Sequence, residues 1–274
     1  MLHKYENPQG EAWYRNMLSD PASVPVRFTY NGTVYTGLAG LPLLEETTEP
    51  ARGGEKTTRS YRLDDCITVT LVTSFYPAYG ASEWTVWFAN TGAQDSGVLA
   101  DVESSLTFTG ENPVLRGILG DHENFYSPYS YDLAETPVHF VSDSGRPTHV
   151  NFPYFNLEYG NGGVMLAIGW AGTWTADFAW DGKSVTYTAV STNRLCTYLK
   201  PGETVRTDAA VCIGKRYLCR LGKERPVPDF RCGVGVIFHG DAPFVDRQIV
   251  LSALYRMREK IARWQGRKIT DCVQ

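Results

Sequence analysis

The stretch from Gly145 to Phe178, GRPTHVNFPYFNLEYGNGGVMLAIGWAGTWTADF, decides the fold class. Val164, Leu166, Ile168 and Trp170 recur at every second position, which is the period of a strand with one buried face. A second strand-like run precedes them, and GNGG at 160–163 separates the two. With strands on both sides, these glycines read as a hairpin turn and not as a phosphate cradle. Gly172 then bulges or turns the chain. Trp170 is therefore predicted to pack in the core, and Trp174 to be the more exposed indole.

The same period extends outward from this stretch. Val24, Val26, Phe28 and Tyr30 alternate up to Asn31-Gly32, and Val34-Tyr35 follow. Asn-Gly between such runs signals a two-residue hairpin, because both central residues of that turn need positive φ. Ile67, Val69 and Leu71 alternate with threonines. Trp84, Val86 and Phe88 share one strand face, with Trp87 on the other. Further strands are expected from Val98, over Ser184–Val190, and as one run over 203–213. Residues 45–59, EETTEPARGGEKTTR, are polar and broken by Pro50 and Gly53-Gly54, so they read as an exposed loop or long turn. Helical spacing is clear only near the C-terminus, where Ile249, Leu254, Met257, Ile261 and Trp264 make an amphipathic stripe. Gly240-Asp241-Ala242-Pro243 marks a boundary, which gives a β domain over 1–240 and a helix and tail over 241–274. Strands at this density without βαβ alternation mean a large all-β, two-sheet antiparallel fold.

Composition narrows the function. The chain has 274 residues, 43% hydrophobic and 13% aromatic, with net charge -4. This balance gives no case for nucleic acid or an anionic membrane surface as partner. No apolar run reaches membrane-helix length and the N-terminus lacks an apolar leader core, so a cytoplasmic location is expected. Cys66, Cys196, Cys212, Cys219, Cys232 and Cys272 form no CxxC pair and no His cluster accompanies them. They are expected to be reduced thiols, with no metal site and no cofactor.

Indoles beside amides and carboxylates suit sugars, whose C–H face stacks on a ring while hydroxyls meet polar groups. The carbohydrate-binding set read from these segments is Trp174, Arg146, Glu158, His122, Glu123 and Asp177. Glycoside hydrolysis needs two carboxylates roughly 5 to 9.5 Å apart, and no spacing here pairs any two. Asp121, His122, Glu123 and Asn124 form a polar cluster, and a His beside a carboxylate is able to run acid–base chemistry. An aldose mutarotase or epimerase, and a lectin-like module, are the alternatives these residues leave open.

Four segments in order also resemble one family. They are EWTVWFANTG at 83–92, NFYSPYSYDL at 124–133, GRPTHVNFPYFNLEYGNGGVMLAIGWAGTW at 145–174 and LKPGETVRT at 199–207. Together they are similar to the N-terminal domain of bacterial melibiase-type α-galactosidases, the family 36 glycoside hydrolases. The resemblance implies a β-supersandwich of galactose mutarotase-like architecture. In the family this domain precedes a (β/α)8 barrel that carries both catalytic aspartates. No residue here corresponds to either aspartate, so no catalytic residue is assigned. The chain stops at Gln274, where a linker would enter that barrel, and GDAPFVDRQIVLSALYRMREKIARWQGRK matches such a linker poorly. The implied role is a non-catalytic domain that binds a galactoside-type carbohydrate, or packs on a barrel, a separate barrel subunit or another copy of itself.

Overall fold

A computed structural model of the chain describes residues 8–216, apart from Ala78, Glu123, Asn124, Asn161, Thr192, Asn193 and Asp208. The C-terminal helix read over 246–264 and the domain boundary near 240 lie outside the described residues. No helix among the described residues is long and apolar enough to cross a membrane.

The chain opens with α1 (Pro8–Ser19) and a 3-10 turn (Pro21–Ser23), then the hairpin β1 (Arg27–Tyr30) and β2 (Thr33–Thr36). Four strands follow: β3 (Leu43–Ala51), β4 (Gly54–Arg62), β5 (Ile67–Tyr76) and β6 (Ala81–Asn90). Next come β7 (Leu99–Thr109), β8 (Val114–Leu119), β9 (Pro128–Asp132) and β10 (Val138–Ser142). The stretch first quoted supplies β11 (Asn151–Tyr159), β12 (Gly162–Gly169) and β13 (Trp174–Trp180). The remaining strands are β14 (Ser184–Ser191), β15 (Cys196–Thr197), β16 (Thr204–Arg206) and β17 (Ala209–Arg216).

These strands make the all-β, two-sheet antiparallel sandwich that the alternation predicts. One sheet has seven strands in the order β10-β13-β14-β7-β1-β2, with β15 also on β7. The other has ten in the order β3-β4-β5-β6-β17-β12-β11-β8-β9, with β16 also on β6. The Asn31-Gly32 turn forms as expected, with φ of 48° and 78°. The β11–β12 hairpin closes at the glycine-rich turn, where Tyr159 pairs with Gly162.

Inward positions of both sheets meet in one core. Phe155 of β11 touches four rings of the opposite sheet: Phe140 at 5.4 Å, Trp174 at 5.8 Å, Phe178 at 5.1 Å and Tyr187 at 6.2 Å between centroids. Phe28 of β1 meets Phe88 of β6 edge-on at 4.9 Å. Trp84, Val86 and Phe88 are buried and Trp87 is 38% exposed, as their alternation predicts. Trp170 is half-buried and packs against this core.

Three readings of the sequence are corrected. Residues 45–59 are not a loop; β3 and β4 form a hairpin through them. Its pairing rests on polar cross-strand contacts: Glu49 with Lys56 at 3.0 Å, Glu46 with Arg59 at 2.9 Å, and the Thr48 and Thr57 hydroxyls at 3.0 Å. β3 is the sheet edge, where Pro50 is tolerated and charges discourage further pairing. Residues 203–213 are two strands and not one. Thr207 lies between them, its Oγ1 accepting from Val86 N–H at 3.0 Å. Trp174 is not exposed; it is fully buried. The even-numbered phase of Val164, Leu166 and Ile168 carries through the turn at 171–173, so Trp174, Ala176 and Phe178 all point inward, and the indole N–H donates to Pro147 O at 2.8 Å.

Helix α1 was not legible as a helix. Its stripe is short, yet Tyr14 and Met17 are fully buried. Tyr14 stacks on Phe75 at 5.1 Å and Trp13 meets Trp84 at 5.3 Å, so the helix covers part of the inward face of β5 and β6.

A polar tie joins the two sheets. Tyr30 Oη donates to Asp64 Oδ2 at 2.5 Å and accepts from Gly97 N–H at 2.9 Å. Asp64 also accepts from the N–H groups of Cys66 and Ile67 at 2.8 and 2.7 Å. Burial, and then the bond to Asp64, push the Tyr30 hydroxyl up to about 12. Burial alone would raise Asp64, but the bonds from Tyr30 and the two amides hold its carboxyl below the usual range.

Two outcomes are expected from this packing. Tyr30→Phe should cost about 1–3 kcal/mol at neutral pH, because a charge-assisted bond is lost. A raised Tyr30 stabilises the fold below pH 10.0, and that contribution disappears as pH rises toward about 12. A depressed Asp64 stabilises it above pH 3.8, and that contribution fades as pH falls through the folded value. Urea unfolding midpoints across these two windows should show both limbs in the parent and shallower ones in Tyr30→Phe. Separately, Phe155→Ala and Trp174→Ala should each cost about 3–5 kcal/mol, against about 1 kcal/mol or less for Trp87→Ala. Thermal melts of the three variants check this ranking.

Candidate functional site

The connections β8–β9 and β10–β11 lie side by side at one end of β11. Gly120 N–H donates to Val150 O at 2.7 Å, and Asp121 N–H to Thr148 O at 2.8 Å. A Cβ at Gly120 would collide with the Thr148 carbonyl, so the close approach requires glycine. Six non-glycine residues among those described have positive φ. Asn31, Asp101 and Asn112 tolerate it through their short polar side chains. The other three, Phe125 (35°), Tyr126 (62°) and Val150 (63°), all belong to this loop pair. A β-branched valine there is strained by about 1–3 kcal/mol, and such strain collects at binding and catalytic sites.

The side chains of the pair converge. Arg146 Nη2 lies 3.2 Å from Asp121 Oδ1, and Thr148 Oγ1 donates to Asp121 Oδ2 at 2.9 Å. The His122 and His149 rings are 4.5 Å apart, and His149 Nδ1 is 3.6 Å from Asp143 Oδ1. Phe125 presents a ring that is 67% exposed. The base of the second loop is fixed by Trp174 on Pro147 O, by Ser142 Oγ donating to Arg146 O at 2.7 Å, and by Asn151 Nδ2 donating to Val141 O at 2.7 Å. The result is a charged and hydroxyl-bearing rim with an exposed ring, standing on a rigid base. It supplies donors and acceptors for a hydroxylated ligand.

Of the residues singled out from sequence, Arg146 and His122 come together here, and Glu123 lies outside the described residues. The other three are elsewhere. Trp174 sits in the core beneath the loops. Glu158 faces outward from the ten-stranded sheet, where Arg116 Nε donates to it at 3.1 Å and Asn156 Nδ2 at 3.0 Å. Asp177 faces outward from the seven-stranded sheet, 2.6 Å from His139 Nδ1. Because Phe155, Leu157, Ala176 and Phe178 fill the core, Glu158 and Asp177 lie on opposite outer faces. Packed sheets are about 10 Å apart before outward side chains are added, so these two carboxylates cannot flank one glycosidic bond. Glu158 is also seven residues along β11 from the loop end, about 23 Å, and does not join His122 as a mutarotase pair would need.

The sequence reading missed Asp143, Thr148 and His149. A signal was present: GDHEN at 120–124 and SDSGRPTH at 142–149 each pair Asp with His in a loop. Among the described residues, no group of three or more His, Cys, Asp or Glu is placed to hold a metal ion.

No protein-family model matches the sequence, and no curated protein matches it. Solved structures do share its fold. The galactosidase domain of the alpha-galactosidase-sucrose kinase AgaSK aligns at TM-score 0.55 and 14% identity, over 70% of this chain and 30% of that one. The GH36 α-galactosidase AgaB from Geobacillus stearothermophilus aligns at 0.55 and 14%, over 69% and 29%. The α-galactosidase from Lactobacillus brevis aligns at 0.55 and 13%, over 70% and 29%. The chain therefore spans about 30% of the length of these enzymes, and its fold is that of a domain-sized part of family 36 α-galactosidases.

Proposed function

We propose that this chain is the non-catalytic sandwich domain of an α-galactosidase-like glycoside hydrolase. In this reading it holds a galactoside-type carbohydrate at the loop pair 120–127 and 143–150. It also packs against a catalytic barrel, in the same polypeptide or as a separate subunit. The observation that carries the reading is the alignment of this sandwich with only about 30% of each enzyme's length. The outward placement of Glu158 and Asp177 on opposite faces agrees with it. Chemistry on a glycosidic bond would then belong to the barrel, and the sandwich would contribute binding and support. Stacking on Trp174 has no part in this, because that ring is buried; Phe125 is the exposed ring at the rim.

Two measurements test the proposal. The purified chain should not hydrolyse an aryl α-galactoside; sustained turnover that tracks with the protein would end the non-catalytic reading. Titration with methyl α-galactoside, followed by calorimetry, should saturate, and Arg146→Ala should weaken it about tenfold. Absence of saturable binding, or binding indifferent to Arg146, removes the carbohydrate role from the loops.

A further inference from the structure

The outward face of the ten-stranded sheet carries a straight row of side chains across five strands. Register places Glu45 of β3 beside Ser60 of β4, Ser60 beside Thr70 of β5, Thr70 beside Trp87 of β6, and Trp87 beside Arg206 of β16. Neighbouring members are about 4.8 Å apart at the backbone. The Ser60 and Thr70 hydroxyls are hydrogen-bonded at 3.1 Å. Trp87 is 38% exposed although it lies mid-sheet. The Arg206 guanidinium is held between two indoles, 5.6 Å from the Trp87 ring centre and 5.2 Å from that of Trp170. Its Nη1 donates to Thr207 O at 3.3 Å, and no carboxylate among the described residues lies within ion-pair distance of it. On the same face of β6, Glu83 is tied to Tyr76 Oη at 2.8 Å.

We infer that Ser60, Thr70, Trp87, Arg206 and Trp170 form a second carbohydrate site, specific for an acidic sugar. The order along the row matches the ligand: a hydroxyl pair, then a flat exposed indole, then a positioned cation. A uronate ring would stack its C–H face on Trp87. Its carboxylate would meet the forked donors of Arg206, and its far hydroxyl would reach Thr70, whose own hydroxyl Ser60 holds. Two indoles within cation–π distance restrict the Arg206 side chain, so less of its freedom is lost when an anion docks. A half-buried cation with no carboxylate within ion-pair distance among the described residues favours an anionic ligand over a neutral one. The hydroxyl pair and the open indole favour a sugar over a bare carboxylate. This site is remote in the chain from the loop pair and does not rest on the galactoside reading.

Calorimetric titration of the full chain with galacturonate, galactose and glutamate tests the inference. Galacturonate should bind saturably, at least about tenfold tighter than either control, and less tightly as salt is raised. Arg206→Met, which keeps the stem and drops the charge, should reduce galacturonate binding about tenfold or more, and Trp87→Ala similarly. Lys183→Ala, which removes a charge beside β14 and outside both sites, should leave it unchanged. If Arg206→Met fails to fold, Arg206→Lys and Trp87→Phe should each give a partial loss in a folded chain. No galacturonate binding, galactose binding that Arg206→Met weakens to the same degree, or indifference to Arg206 overturns the inference. Glutamate binding as tight as galacturonate overturns it too, since the site would then read any carboxylate.

Discussion

Phe155 is the contact on which this sandwich turns. One ring from β11 touches Phe140, Trp174, Phe178 and Tyr187, which belong to three strands of the facing sheet. Those four rings lie on β10, β13 and β14, so their meeting with one ring of β11 fixes how the seven-stranded sheet lies on the ten-stranded one. Aromatic pairs at these separations add about 0.5–1.5 kcal/mol each beyond area burial, and the edge-on contacts with Trp174 and Phe178 restrict sliding. Phe28 on Phe88 makes a second anchor, nearer β1 and β6.

Once the inward rows are fixed, the outward ones follow, because a strand has only two faces. A one-residue slip in β6 would bury Trp87 and expel Trp84 and Phe88. The exposed indole beside Arg206 is therefore a consequence of the core register and not an independent surface feature. The same constraint sends Glu158 and Asp177 to opposite sides. A double-layered fold with a continuous core can gather carboxylates only on one face or at a loop end. Asp121 and Asp143 show the second solution.

The two-sheet fold was readable because period-two alternation reports burial directly. Trp84, Val86, Phe88, Val164 and Ile168 all lie where their alternation predicts. The misreadings arise where something other than apolar burial drives structure. β3 and β4 pair through Glu, Lys, Arg and Thr, so their polar sequence resembles a loop. Helix α1 relies on ring contacts with Phe75 and Trp84, distant in sequence, and its own pattern is too short to announce it. Trp174 was misread because a glycine turn precedes it, and nothing local says that the even-numbered phase of Val164, Leu166 and Ile168 carries through that turn. The site was half legible: Arg146 and His122 were visible as polar groups among aromatics, but the juxtaposition of their two loops is a tertiary fact.

Trp174 also links core to rim, which explains how the loops hold their strained backbone. Its ring packs on Phe155 at 5.8 Å, while its N–H holds the Pro147 carbonyl at 2.8 Å. Pro147 lies between Arg146 and Thr148, the two residues that grip Asp121. Thus a fully buried side chain of the opening stretch sets the position of its charged Arg146. Strain at Phe125, Tyr126 and Val150 persists only if the surroundings over-determine it. Backbone bonds from Gly120 and Asp121, the ion pair and the Trp174 anchor together do so. The indole that seemed to offer a face for a sugar instead works from below, holding the loop that carries the polar rim.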